Sequence, residues 1–122
     1  MELQYQKLEN GIRLIKLIGK LDNDGVKAVE SNFILHCAGS QVKVIVDLSA
    51  LESLAAIGSE LLTWTAREVG SSGGRIVIVD PISTVEQVLD RDGIKKWAPI
   101  HSRLDTAISY LMTEDVNRIL SS

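Results

Sequence analysis

Val42-Lys43-Val44-Ile45-Val46-Asp47 and Arg75-Ile76-Val77-Ile78-Val79-Asp80 are the two stretches whose reading decides the fold. Each is short, β-branched and apolar at odd and even positions alike, and a strand with no polar face is one covered on both sides of a central sheet. Between them runs a segment of helical period, from about Ile57 to Val69, with Leu61, Leu62, Thr65 and Val69 on one side and Gly70 to close it. Ser71-Ser72-Gly73-Gly74 then connects helix to strand, and Pro81 stops the second strand because proline has no amide to donate. Strand, helix and strand with short connections predict a right-handed crossover between parallel strands.

Towards the N-terminus, Leu3 to Glu9 alternates apolar and polar residues, Asn10-Gly11 tolerates positive φ, and Ile12 to Ile18 resumes an extended pattern, which predicts a β-hairpin. Gly19 to Asp22 breaks that strand. Asp22 or Asp24 caps the next helix, where Val26, Val29, Phe33 and Cys37 fall at helical spacing before Gly39. Towards the C-terminus, Leu48 to Ala56 reads as a loop, Ser83 to Asp90 as a helix before Gly93, Ala98 to Ile100 as a short extended piece and Leu104 to about Leu120 as a last helix. The expected fold is therefore α/β: a mixed, mainly parallel sheet of about five strands with an N-terminal hairpin, flanked by about four helices, in one domain over residues 1–122.

Composition narrows the function. The 122 residues, 45% hydrophobic and 24% charged, suit one globular core. A net charge of −3, with no basic cluster denser than Lys95-Lys96, argues against a nucleic-acid surface. A single cysteine, Cys37, and an opening Met1-Glu2-Leu3-Gln4 without a signal-peptide core predict a cytoplasmic protein. Apolar runs of four or five residues fall far short of the ~20 that cross a bilayer as a helix, so no direct membrane insertion is expected.

Open sheets carry function beyond the carboxyl ends of their strands, which directs attention to residues 47–58 and to the segment after Asp80. Asp47 suits a loop-ordering carboxylate better than a base or metal ligand. His36, Cys37 and His101 lack any paired ligand spacing, so neither a metal nor another cofactor is expected. Ala56-Ile57-Gly58-Ser59-Glu60 is not a nucleophile elbow, and Ser71-Ser72-Gly73-Gly74 precedes a strand instead of opening a phosphate-binding helix. No catalytic residue is expected, and the chain is read as a non-enzyme. Trp64, on the helix beside the candidate loop, suits a partner anchor or half-buried packing equally.

Three stretches in order carry a family resemblance: Gly19-Lys20-Leu21-Asp22, Val44-Ile45-Val46-Asp47-Leu48-Ser49, and Gly73-Gly74 running into Arg75 to Pro81. With the closing Val85 to Leu89, Gly93-Ile94, Pro99-Ile100 and Leu104 to Ala107, the chain resembles the STAS family of sulfate transporter and anti-sigma factor antagonist domains. The antagonists of that family continue from Asp-Leu-Ser to Asp-Ser-Ser-Gly, whose second serine a kinase phosphorylates. The matching residues here are Ala55-Ala56-Ile57-Gly58. The resemblance thus implies that Ile57 stands where the acceptor hydroxyl is lost, and that Asp22, Asp47 and Ser49 are the other motif positions.

It also implies a protein-binding loop and helix start over Ser53, Leu54, Ala55, Ala56, Ile57, Gly58 and Ser59. Two readings stay open for this apolar turn: Ile57 is an exposed docking element, or Leu54 and Ile57 extend the core. Ser49 and Ser53 read as loop or capping residues, and Ser59 faces elsewhere, about 200° round the helix from Ile57. Implied partners are an anti-sigma factor of the serine-kinase type, another STAS-domain protein, or a second copy of the chain. The alternatives are a subunit of a membrane transport system, an anion transporter or a lipid-trafficking ATPase complex, and a small-ligand or nucleotide-binding domain near Asp47 and Asp80.

Overall fold

The computed structural model describes residues 1–121, with side chains as far as Thr113. Strands β1 (Glu2–Lys7) and β2 (Arg13–Leu21) form the expected hairpin, with Leu3 opposite Leu17 and Lys7 opposite Arg13. The Asn10 side chain accepts from the Ile12 amide and Gly11 has φ +83°, so Asn10-Gly11 makes the turn.

The expected break at Gly19 to Asp22 does not occur. β2 runs on to Leu21 through an irregularity at Gly19 and Lys20, where Gly19 takes φ +112°. The bulge re-aims the strand, so that one edge of β2 pairs first with β3 (Lys43–Asp47) and then with β4 (Leu51–Leu54), both in parallel. Strand β4 is the second correction, since residues 48–56 read as a loop. Leu51 and Leu54 point inward while Glu52 and Ser53 face solvent, too few residues for a period to show.

Helix α1 (Asn23–Cys37) follows β2, and the Asp22 side chain caps it by accepting from the Gly25 amide at 2.9 Å. Helix α2 (Ala56–Ser71) follows β4 and passes through Gly70, which was expected to end it. The reversal comes at Gly73, φ +78°, before β5 (Arg75–Val79). Helix α3 (Ser83–Asp92) ends on a left-handed Gly93, and an unforeseen 3₁₀ turn (Ile94–Lys96) follows. The expected extended piece is β6 (Ile100–His101), displaced slightly towards the C-terminus, and α4 (Leu104–Ser121) closes the described chain.

The six-stranded sheet has the order β1-β2-β3-β5-β6, with β4 on β2 off that path. Only β1 is antiparallel. Alternation sorts the side chains into two cores. Val44, Val46, Ile76 and Ile78 pack with α1, α2 and α3, while Ile45, Val77 and Val79 pack with Ala107 and Leu111 of α4. Val44 to Val46 and Ile76 to Val79 are apolar without a break because each face meets a different helical layer.

Candidate functional site

Two helices begin side by side at the end of β2. The register sets Leu21 beside Leu54, and the Ala55 amide donates to the Leu21 carbonyl at 3.1 Å, so the start of α2 is tied to the residue preceding the Asp22 cap of α1. Both helices carry glycine as their third residue. A methyl group on Gly25 would collide with the Lys20 carbonyl, and one on Gly58 would lie 2.5 Å from the Leu21 oxygen and 2.8 Å from Leu21 Cγ. Only glycine lets the two helix starts press on consecutive carbonyls of one strand.

The caps differ. Ala55 has the extended backbone of an N-cap, φ −83° and ψ 167°, yet no side chain caps α2 and the Ser59 amide donates to the Ala55 carbonyl as the first turn closes. An aspartate performs this duty for α1; alanine offers α2 no such acceptor.

The two readings left open for the turn separate residue by residue. Leu54 is 9% exposed and belongs to the core, whereas Ile57 is 39% exposed, with Ala55 and Ala56 also at the surface. Ser59, 1% exposed, faces away from Ile57 as the helical angle requires. Its hydroxyl completes no hydrogen bond of good geometry, but it lies close enough to the Asp92 carboxyl to hold it below the usual carboxylate range, with the Arg91 guanidinium adding to the effect. Ser53 is an exposed residue of β4, not a loop or cap serine. Asp47 accepts from the Ser49 amide at 2.9 Å and so orders the turn between β3 and β4. Asp47 lies beside Val79 in the register, one residue short of Asp80, whose φ is +53°.

Sequence reasoning missed an apolar groove beside the turn. Val26 and Ile34 of α1 and Leu61 of α2 line a groove of about 420 Å³, with Ile57 and Trp64 on its border. Trp64 is 49% exposed. A second hollow, about 200 Å³, continues the groove past Trp64 towards Cys37 and Val69. One wall of it was visible in the sequence: Val26, Glu30 and Ile34 are spaced by four on α1, a stripe adjoining the core stripe of Val29, Phe33 and Cys37, but the pairing with α2 was not. Burial pushes the Cys37 thiol up to about 12, against an opposing pull from Arg13. Among the described residues no three His, Cys, Asp or Glu side chains gather to hold a metal ion, and no helix is long and apolar enough to cross a membrane.

Comparison with known proteins agrees with this architecture. An anti-sigma F factor antagonist of Lysinibacillus sphaericus is 24% identical over 98 residues, covering 80% of this chain and 84% of that one. The crystal structure of an anti-sigma factor antagonist from Mycobacterium paratuberculosis superposes with a TM-score of 0.76 at 20% identity, covering 91% of this chain and 93% of the other. The anti-sigma factor antagonist SpoIIAA in its unphosphorylated form gives 0.74 at 21% identity, covering 92% and 97%. Residues 6–107, most of the sequence, match the family model of the STAS domain, and the chain belongs to the STAS family.

Proposed function

We propose that this chain is a non-enzymatic, single-domain adaptor that binds a protein partner through the turn Ser53 to Ser59 and the start of α2, with no phosphate switch at that place. The observation that carries the reading is Ile57: a branched hydrocarbon held 39% exposed in the first turn of a helix without a side-chain cap, directly after two surface alanines, Ala55 and Ala56. Apolar side chains kept in water at a structured position are the material of a protein interface. By the motif order of the antagonists it resembles, Ile57 stands where they carry a serine, whose phosphate would add about −1.5 to −2 charges there. Isoleucine offers no oxygen to esterify, so association at this turn is constitutive. The relatives named as anti-sigma factor antagonists support a partner of the anti-sigma factor or serine-kinase type; another STAS-domain protein is the second candidate.

The test is capture of partners from native lysate by the wild type and by Ile57→Asp, with circular dichroism on both. Because Ile57 is partly solvated already, the substitution leaves the fold intact, while a carboxylate buried in an interface costs several kcal/mol. Loss of one partner from the folded variant is the expected result. Equal partner sets would refute the docking turn, and a stoichiometric phosphoryl group in the turn that governs binding would refute constitutive association.

A further inference from the structure

We infer that the groove between α1 and α2 receives a cationic amphipathic helix of the partner; this deepens the docking reading above and rests on it. Its floor is apolar, made by Val26, Ile34 and Leu61. Its polar border is of one sign: Glu30 on α1, Glu60 on α2 and, beyond Trp64, Glu68. No lysine or arginine lines either hollow. The Arg67 guanidinium lies 5.4 Å from the Trp97 ring centroid and, with Arg91, lines the neighbouring hollow on the other side of Glu60 and Trp64, not this groove.

The dimensions suit a helix. Ile57, Leu61, Trp64 and Glu68 succeed one another at spacings of four, three and four, and the span from Ile57 to Glu68 is about 16 Å at the rise of an α-helix. That length matches about three turns of a partner helix, with apolar anchors at i, i+3 or i+4, and i+7. The acidic border then selects among apolar helices, favouring those flanked by Lys or Arg. A second copy of this chain fits poorly, since it carries a net charge of −3 and a matching face would set the same carboxylates against each other. An anionic lipid surface meets the same repulsion.

The test uses a Trp97→Phe background, in which Trp64 is the sole tryptophan. Two synthetic helical peptides with one leucine face, long enough for about three turns, carry Lys in one and Glu in the other. The Lys peptide should saturate with a blue shift of Trp64 emission, and the Glu peptide should bind at least about tenfold more weakly, the worth of two or three exposed ion pairs. The double substitution Glu30→Lys with Glu60→Lys should invert that preference. Equal binding of both peptides, no saturation, or an unchanged preference in the double variant would overturn the groove. So would a concentration-dependent dimer abolished by the Lys peptide, or a Trp64 blue shift on anionic phosphatidylserine vesicles. Lysate capture separates the two readings. If Ile57→Asp releases the partner and the charge reversal does not, the docking turn stands and the groove falls. If Ile57→Asp releases nothing, the docking turn has failed, and the helix assignment falls with it.

Discussion

Ala55→Asp should stabilise this protein, which is unusual for a charged substitution at a tight turn. Ala55 already has N-cap geometry, close to that of Asp22, whose carboxylate accepts from the Gly25 amide at 2.9 Å. Gly58 stands in the same third position of α2, with its side of the helix terminus uncapped. Replacing Ala by Asp at an N-cap is worth about 1 kcal/mol, with a few tenths more from the helix dipole at an exposed terminus. At about 2.1 cal/mol/K per residue the unfolding entropy of 122 residues is near 0.26 kcal/mol/K, so Tm should rise by about 4 °C. A carboxylate that accepts an amide bond has its folded-state pKa depressed. Its contribution is therefore complete above the unfolded value near 3.9 and is lost as pH falls through the lower folded value. Differential scanning calorimetry at pH 7 and again near pH 2.5 measures both, with Ala55→Asn as the uncharged cap. A Tm at pH 7 equal to or below that of the wild type would refute the assignment of Ala55 as a vacant cap.

Gly58→Ala forces a methyl group to within 2.5 Å of the Leu21 carbonyl, so it should cost at least the roughly 1–3 kcal/mol of an overpacked core, read from urea midpoints. Cys37, with its thiol pushed up to about 12 by burial, should react slowly with a disulfide reagent at pH 8 in the native protein and rapidly once unfolded. The same shift makes stability fall as pH rises from about 9 towards 12, because the unfolded chain releases the thiol proton that the native state retains. Phe33→Ala, at a fully buried position of α1, should lose about 3–5 kcal/mol in the same denaturation assay.

The fold was legible where the pattern was long. Val42 to Asp47 and Arg75 to Val79 declared themselves as doubly covered strands because their neighbours on each side are different layers, and polar residues are confined to Lys43, Asp47 and Arg75 near the strand ends. Leu51 to Leu54 stayed hidden because a four-residue strand shows at most two inward positions, and the same letters suit a loop. Gly19 and Gly70 misled for opposite reasons: a glycine with positive φ made a bulge instead of an end, and one with helical φ made nothing at all. At the site, the turn and its exposed isoleucine were approachable from motif order. The groove was not, because it belongs to two helices separated by two strands, and no local pattern records which faces will meet.

The paired glycines set how the protein can yield. Helices α1 and α2 are pinned at one end to successive rungs of the same strand, so their separation there is fixed by the peptide repeat, not by side chains that could rotate. Prying them apart must proceed as a fan, with its pivot at Gly25 and Gly58 and its widest travel at Cys37 and Val69. Whatever enters between them is therefore gripped from the pinned end, and swelling at the far end reaches the sheet as torque on β2, the strand on which three others hang.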